Sequence, residues 1–224
     1  MVTPKHVLFA LAFTALVLVG SQYLVFPLLG VENQSFTIFQ FFGPSAGAFL
    51  GPILGGALAF AAAAVTLVAG GKEITFFSVL RLFPMVLAAL YFGTKAKDQR
   101  LVALVPIAAM LAFWAHPVGQ QAWFYALYWL IPIIATLKPG LVSRSLGATF
   151  TAHAVGSVAF LYALPSTPAL WIGLIPIVAF ERGLFTIGIA TSYMIFNTAM
   201  AKLELPFFNT DPRYVLFARK AHAK

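Results

Sequence analysis

The chain of 224 residues contains no cysteine and only 6 acidic residues, and charged side chains make up 9% of it. The lack of cysteine excludes disulfides, thiol nucleophiles, iron–sulfur clusters and cysteine-ligated zinc from this chain. So little charge argues against a soluble enzyme, a secreted scaffold, a disordered chain and a nucleic-acid binder. Hydrophobic residues reach 61% and the mean hydropathy is +0.93, which predicts a protein that resides in the lipid bilayer.

Seven apolar runs are candidates for membrane spans, which need about 20 apolar residues each. We therefore predict an all-α, polytopic transmembrane helix bundle with six spans, or seven, within residues 1–200, followed by a polar tail at 201–224. Pro176 is expected to bend the last run or to mark a loop before a helix that starts near Leu174. The runs lie at 7–29, 44–69, 75–93, 101–117, 120–137, 145–164 and 168–200.

Most of the 14 Lys and Arg residues cluster in three places, at 94–100, at 138–144 and in the tail. The positive-inside rule places these three segments on the cytoplasmic side, and two apolar runs separate each neighbouring pair. The sequence thus predicts a multi-pass protein of the cell membrane with a cytoplasmic C-terminus. An N-terminus on the same side requires one of the first three runs to be re-entrant or to lie on the surface.

Glycine recurs every four residues at Gly43, Gly47, Gly51 and Gly55. On a helix of 3.6 residues per turn this spacing forms a smooth, slowly winding stripe against which another backbone can pack closely. The stripe is either packing inside the bundle or a docking surface for a partner. The stretch lacks the Lys-Ser/Thr ending of a phosphate loop, so any ATP hydrolysis would belong to a separate chain. A weaker stripe of small residues follows at Ala148, Ala152 and Gly156.

Four ionisable residues interrupt the apolar runs, namely Arg81, His153, Glu181 and Arg182. A charge at the centre of a bilayer costs at least about 2.5–3.5 kcal/mol and needs a partner or a wet cavity. Adjacent helical residues point about 100° apart, so we expect Glu181 to pair with Arg81 across helices rather than with Arg182. Structural pairing and direct contact with a substrate both remain open for these residues.

Aromatic residues make up 15% of the chain, and Trp123 and Tyr128 belong to a dense aromatic cluster beside Gln120 and Gln121. Such a cluster forms an interfacial belt or a stacking wall for a small planar ligand. No motif of a zinc protease or a serine hydrolase is present. We therefore predict no catalytic residue, no metal and no cofactor.

The stretch from Phe42 to Pro52, together with Leu174-Ile175-Pro176 before a long apolar helix, resembles the S components of energy-coupling-factor transporters. The resemblance implies a six-helix subunit that captures a vitamin-like small molecule and topples on a coupling transmembrane subunit, driven by separate ATPase subunits. It also implies that small residues face this partner. They are Ala10 and Thr14, in place of the family's A-x-x-x-A, and Gly43, Gly47, Gly51 and Gly55.

Two other functions remain open from the sequence. One is a non-catalytic structural subunit of a larger membrane complex, and the other is an intramembrane enzyme that acts at Glu181 and His153. On the transport hypothesis, the candidate substrate-binding residues are Arg81, Gln120, Gln121, Trp123, Tyr128, His153 and Glu181.

Overall fold

A computed structural model describes residues 4–30, 34–71, 73–95, 98–203 and 208–216. These residues form an all-α bundle that carries one short antiparallel hairpin, β1 (Leu24–Pro27) and β2 (Ser35–Thr37). The first helices are α1 (Pro4–Gly20), α2 (Phe39–Phe42), α3 (Ser45–Leu50), α4 (Pro52–Ala69), α5 (Phe76–Leu80), α6 (Phe83–Gly93) and α7 (Gln99–Val102). The others are α8 (Leu104–Ala115), α9 (Pro117–Gln121), the 3-10 helix Trp123–Leu130, α10 (Ile131–Ala135), α11 (Leu141–Ala163), α12 (Pro168–Lys202) and the 3-10 turn Pro212–Tyr214.

Four helical segments are long and apolar enough to cross a membrane, and the structure thus agrees with a helical membrane protein. They are Pro52–Ala69, Phe76–Gly93, Leu141–Ala163 and Pro168–Lys202. Three shorter apolar helices, His6–Gly20, Gln99–Ala115 and Trp123–Ala135, correspond to the remaining predicted runs. Helix length therefore supports four spans, and the predicted count of six or seven is not established by it.

The cation-bearing segments lie together at one end of the bundle, which we call the cationic end. The Arg144 guanidinium, near the start of α11, stacks on Phe92 near the end of α6 and donates to the Phe92 carbonyl. The backbone N–H of Leu141 donates to the Tyr214 hydroxyl at 3.2 Å. Helix α1 also begins at this end, because Phe9 packs on Phe208 with ring centroids 5.0 Å apart.

Gly51 divides the expected helix 44–69 into two antiparallel parts. It has a φ of +84°, a left-handed conformation that favours glycine, and Pro52 then starts α4 at its first position. Phe49, just before this turn, packs on Phe9 at the cationic end with centroids 6.0 Å apart. Because α2 and α3 run back towards the cationic end, α1 and α4 both begin at that end.

Helix α12 runs from Pro168 to Lys202 with Pro176 inside it, so the expectation of a loop before Leu174 was wrong. Its start is set by Thr167, whose side chain accepts a hydrogen bond from the Leu170 N–H. Thirty-five residues span about 52 Å, which exceeds the hydrocarbon core of about 30 Å. The helix is therefore longer than a single crossing of the bilayer needs.

The part of the predicted tail that the structure describes, 208–216, folds back onto the bundle. Asn197, fully buried near the end of α12, accepts from the backbone N–H of Asp211 and donates to its carbonyl, both at 2.8 Å. Thr198 accepts from the Leu216 N–H at 2.8 Å. Hydrogen bonding to the Arg213 guanidinium lowers the pKa of Asp211 below its usual value. The segment 208–216 is thus docked on the bundle, and we call it the strap.

Two hydrophobic clusters form the core. The first, nearer the cationic end, joins α1, the helices α2 to α4, α6 and the C-terminal half of α12. The second joins α5, α8, the 3-10 helix Trp123–Leu130, the C-terminal half of α11 and the start of α12. A cavity lies beneath the hairpin, at the end of the bundle opposite the cationic end.

Candidate functional site

The cavity has a volume of about 460 Å³, and it opens among the exposed residues Gln22, Gly70, Glu73 and Thr75. Its size falls in the range of pockets that hold small organic molecules. Most of its walls are apolar, and the polar or charged side chains that line it deeper inside include those of Gln34, Ser35, Gln40, Arg81, Tyr125, His153, Ser157, Glu181 and Arg182.

Arg182 and Glu181 line the cavity from the middle of α12, and they pair with each other. Their Nη2 and Oε2 atoms are 3.6 Å apart, and both side chains are less than a tenth exposed. The predicted pair between Glu181 and Arg81 was therefore wrong. The 100° angle between adjacent Cβ directions does not prevent the pair, because both side chains are long enough to converge beyond the helix surface.

The guanidinium of Arg182 is held mainly by aromatic rings. It lies 4.6 Å from the centroid of Phe36, on β2, and 4.9 Å from that of Phe185. Its Nε is buried with no hydrogen-bond acceptor among the described residues. The distance to Glu181 exceeds that of a hydrogen bond. Arg182 thus keeps N–H groups that no described protein acceptor satisfies.

Arg81, at the end of α5, reaches the hairpin rather than α12. Its Nη1 donates to the Gln34 side-chain oxygen, and its Nη2 donates to the Ser35 carbonyl at 3.1 Å. A capping box between Thr75 and Ser78 starts α5 and so sets the position of Arg81 one turn later. The two guanidinium groups therefore flank one strand, since Arg81 binds Ser35 and Arg182 stacks on Phe36.

His153, in the middle of α11, has both ring nitrogens engaged. Trp129 donates its indole N–H to Nδ1 at 3.1 Å, and the Tyr125 hydroxyl lies 2.8 Å from Nε2. Because an indole can only donate, Nδ1 is the acceptor, and Nε2 carries the proton and donates to Tyr125. The Tyr125 proton then points towards Ser157, at 3.4 Å, or towards the cavity. His153 thus orients Tyr125, whose O–H is available to Ser157 or to a ligand in the cavity.

Three of the predicted substrate-binding residues line the cavity, namely Arg81, His153 and Glu181. The other four lie elsewhere. Gln120, Gln121 and Trp123 are exposed at the end of α9 and the start of the following 3-10 helix, and none of them lines the cavity. Tyr128 stacks on Phe150 and donates to the Ile175 carbonyl at 2.9 Å, so it is part of the packing behind the cavity wall.

Sequence reasoning missed the cavity residues Gln34, Ser35 and Tyr125. The segment that carries Gln34 and Ser35 lies between the apolar runs 7–29 and 44–69 and has no strong strand signal. Tyr125 belongs to the aromatic cluster, but composition does not show which rings of a cluster face inward. Arg182 was noted as a buried charge and not assigned to the site.

The glycine stripe is engaged inside the chain. A side chain at Gly47 would overlap the Ala89 carbonyl of α6, and one at Gly55 would overlap the backbone of Gly47 across the α3–α4 turn. Gly43 lies against Met85. The interpretation as internal packing therefore holds for these three glycines, and their assignment to a partner surface was wrong. Gly51 has open space around it and forms the turn, while Ala10 and Thr14 on α1 are half-buried.

The site combines two guanidinium groups, one buried carboxylate and one phenol with an apolar wall. The described residues contain no group of three or more His, Cys, Asp or Glu side chains that could hold a metal ion. Such a set can bind a polar or charged small molecule through hydrogen bonds and ion pairs. No family model, curated protein or solved structure matches the chain.

Proposed function

We propose that the protein is a substrate-binding integral membrane subunit that captures a small molecule for transport driven by a separate ATPase module. The observation that carries the proposal is the cavity, in which buried charged groups meet aromatic walls below an end of the bundle that carries few cations. Arg182 in particular holds unsatisfied N–H donors in an apolar setting, which is costly unless a ligand completes them. The chain carries no phosphate-binding loop in its sequence, so the energy would come from a partner ATPase.

The binding proposal is tested by the small molecule that the purified protein retains. Gly156 lines the cavity, and a Cβ there would meet only Pro84, at 3.6 Å, so Gly156→Leu extends a side chain into the cavity. We expect this variant to retain at least about tenfold less of the molecule than the wild type. The readout is mass spectrometry of denatured, washed protein.

Gly173→Leu is the matched control, because Gly173 is exposed on α12 and has no atom within 4 Å of a Cβ. It should retain as much of the molecule as the wild type. A wild type that carries no enriched molecule, or a Gly156→Leu variant that carries as much as the control, would contradict binding in this cavity.

A structural subunit of a larger complex is the second candidate, and the Glu181–Arg182 pair favours it because paired charges need no ligand. The two functions differ in what purifies with the chain in mild detergent. Transport predicts an ATPase subunit and a bound small molecule, whereas a structural role predicts stable protein partners and neither of these.

A further inference from the structure

The deep part of the cavity carries an excess of positive charge. Among its described lining residues, Arg81 and Arg182 are cations and Glu181 is the single buried carboxylate. Glu73 is exposed at the mouth, where water and salt screen its charge. His153 adds no charge, because Trp129 donates to its Nδ1. A ligand with one negative charge would therefore bring the deep cavity to neutrality.

The geometry of Arg182 favours a planar acceptor. Phe36 and Phe185 cover the guanidinium at 4.6 and 4.9 Å, and aromatic stacking leaves the N–H edges free. A carboxylate matches two of these N–H groups at once. Glu181 does not make that contact, since its oxygen lies at 3.6 Å from a single nitrogen. The strongest hydrogen-bonding capacity in the cavity is therefore left for a ligand.

The rest of the wall is suited to an apolar, ring-bearing body. Phe77, Phe160 and Trp171 line the cavity, and their rings pack edge to face with centroids 6.2 Å apart for Phe77 and Phe160 and 5.5 Å for Phe160 and Trp171. Tyr125 extends this aromatic wall, 5.0 Å from Trp171, and offers a hydroxyl. A flat ring can stack here while its acidic group lies beside α12.

We propose, as a refinement of the binding function above, that the ligand is a small aromatic carboxylate. Its carboxylate binds the free N–H edge of Arg182, its ring packs against the Phe77–Phe160–Trp171 wall, and the hydroxyl of Tyr125 donates to a polar atom of the ligand. Arg81 remains with the hairpin and contributes through its charge.

Three probes with the same ring and different head groups test this proposal by calorimetry on the purified protein. They are indole-3-acetate, indole-3-acetamide and tryptamine. We expect the acetate to bind at least about tenfold more tightly than the neutral amide, because charge-assisted hydrogen bonds are the stronger ones. The cationic tryptamine should bind more weakly than the amide. An amide or amine that binds as well as the acetate would overturn the proposal.

Arg182→Met should reduce the preference for acetate over amide to about one, since the stronger charge-assisted bonds are lost. The double variant Glu181→Gln/Arg182→Met keeps the test valid if the single variant fails to fold with an unpaired buried Glu181. Arg100→Met is the matched control, because Arg100 is exposed near the cationic end. A preference that persists without Arg182, or one that Arg100→Met also removes, would refute the role of Arg182.

Decanoate separates an aromatic acid from a fatty acid that enters from the membrane. If decanoate binds more tightly than indole-3-acetate with the same dependence on Arg182, binding of a carboxylate by Arg182 is supported, and the proposal that the ligand has an aromatic ring is refuted. If none of the four probes binds, the aromatic carboxylate is refuted. The binding function is decided separately, by whether the purified protein retains a molecule that Gly156→Leu excludes. If that molecule is neutral or cationic, the binding function is supported and the aromatic carboxylate is refuted.

Discussion

Trp129, His153 and Tyr125 form a buried chain of hydrogen bonds in which every role is fixed by the one group that can only donate. The Trp129 indole determines the His153 tautomer, and with this tautomer the Tyr125 oxygen accepts a hydrogen bond from His153 Nε2. All three side chains are at most 5% exposed, so an unmatched donor or acceptor among them cannot turn to bulk water. The chain therefore stabilises the middle of the bundle and orients one polar wall of the cavity.

Replacing members of this chain should reveal coupling between them. His153→Leu and Trp129→Phe should each lower the free energy of unfolding by about 1–3 kcal/mol, because each leaves a buried partner unsatisfied. The double variant should lose clearly less than the sum of the two. The measurement is equilibrium unfolding in mixed micelles. Tyr23→Phe, at an exposed tyrosine, is the control, and strictly additive losses for the pair would contradict the hydrogen-bonded chain.

The sequence predicted part of the candidate site, for physical reasons that apply to single residues. Arg81, His153 and Glu181 could be found because an ionisable group in an apolar run is costly and so marks a cavity or a partner. Gln120 and Trp123 were predicted to bind substrate and lie outside the cavity, because a polar or aromatic residue near a helix end can lie at the lipid surface as well as in a pocket. The Glu181–Arg182 pair was missed because the angle between Cβ atoms ignores the reach of long side chains.

At the scale of secondary-structure elements, the turn at Gly51 determines how the first third of the chain is arranged. It folds α3 back along α4, and α3 approaches both α4 and α6 so closely that the backbone of Gly47 lies directly against Gly55 and against Gly93. The four-residue spacing predicted one smooth helix face. In the structure it places small residues on two antiparallel helices, α3 and α4, that face each other. Hydropathy does not show this, because the run stays apolar across the turn.

Gly47→Ala should destabilise the isolated chain by about 3 kcal/mol or more, because the added methyl group would overlap the Ala89 carbonyl and backbone cannot easily move away. Gly51→Ala should cost about 1–2 kcal/mol through its left-handed φ alone. Gly183→Ala, in open space on α12, should be neutral or stabilising. Unfolding in mixed micelles measures all three. A Gly47→Ala chain that is as stable as the wild type would contradict this packing.

The strap 208–216 is an element whose docking can be tested alone. Asn197→Leu removes both hydrogen bonds to the Asp211 backbone and should increase the rate of tryptic cleavage after Arg213 by about tenfold or more, because local opening then costs less free energy. Gln120→Leu, at an exposed position of the opposite end, should leave the rate unchanged. Equal cleavage rates for Asn197→Leu and the wild type would show that these bonds do not hold the strap.

At the scale of the whole molecule, the two ends of the bundle differ in chemistry. Arg144 and the strap lie at the cationic end, with the start of α1, whereas the cavity opens at the other end. The positive-inside rule predicts that the cationic end faces the cytoplasm, and the cavity would then face outward, as a capturing subunit requires. A guanidinium such as Arg182 is tolerated within the bundle because the cavity and its aromatic neighbours surround it.

Much of this architecture follows from the sequence, since each of the seven apolar runs contains a helix. What the sequence did not predict are features that arise only when elements meet. They include the strap, whose polar residues find partners on α12, and the hairpin, whose polar residues find Arg81. The continuity of α12 was left open by the sequence, because Pro176 could either lie within one helix or precede a second one.

The outward cavity is tested most directly by the accessibility of one introduced thiol. The chain has no cysteine, so Gly156→Cys in the cavity and Lys138→Cys at the cationic end each carry the sole thiol of the protein. We expect a membrane-impermeant methanethiosulfonate to modify position 156 in intact cells, and position 138 only after the membrane has been opened. Modification of position 138 in intact cells while position 156 stays unreactive would contradict the account.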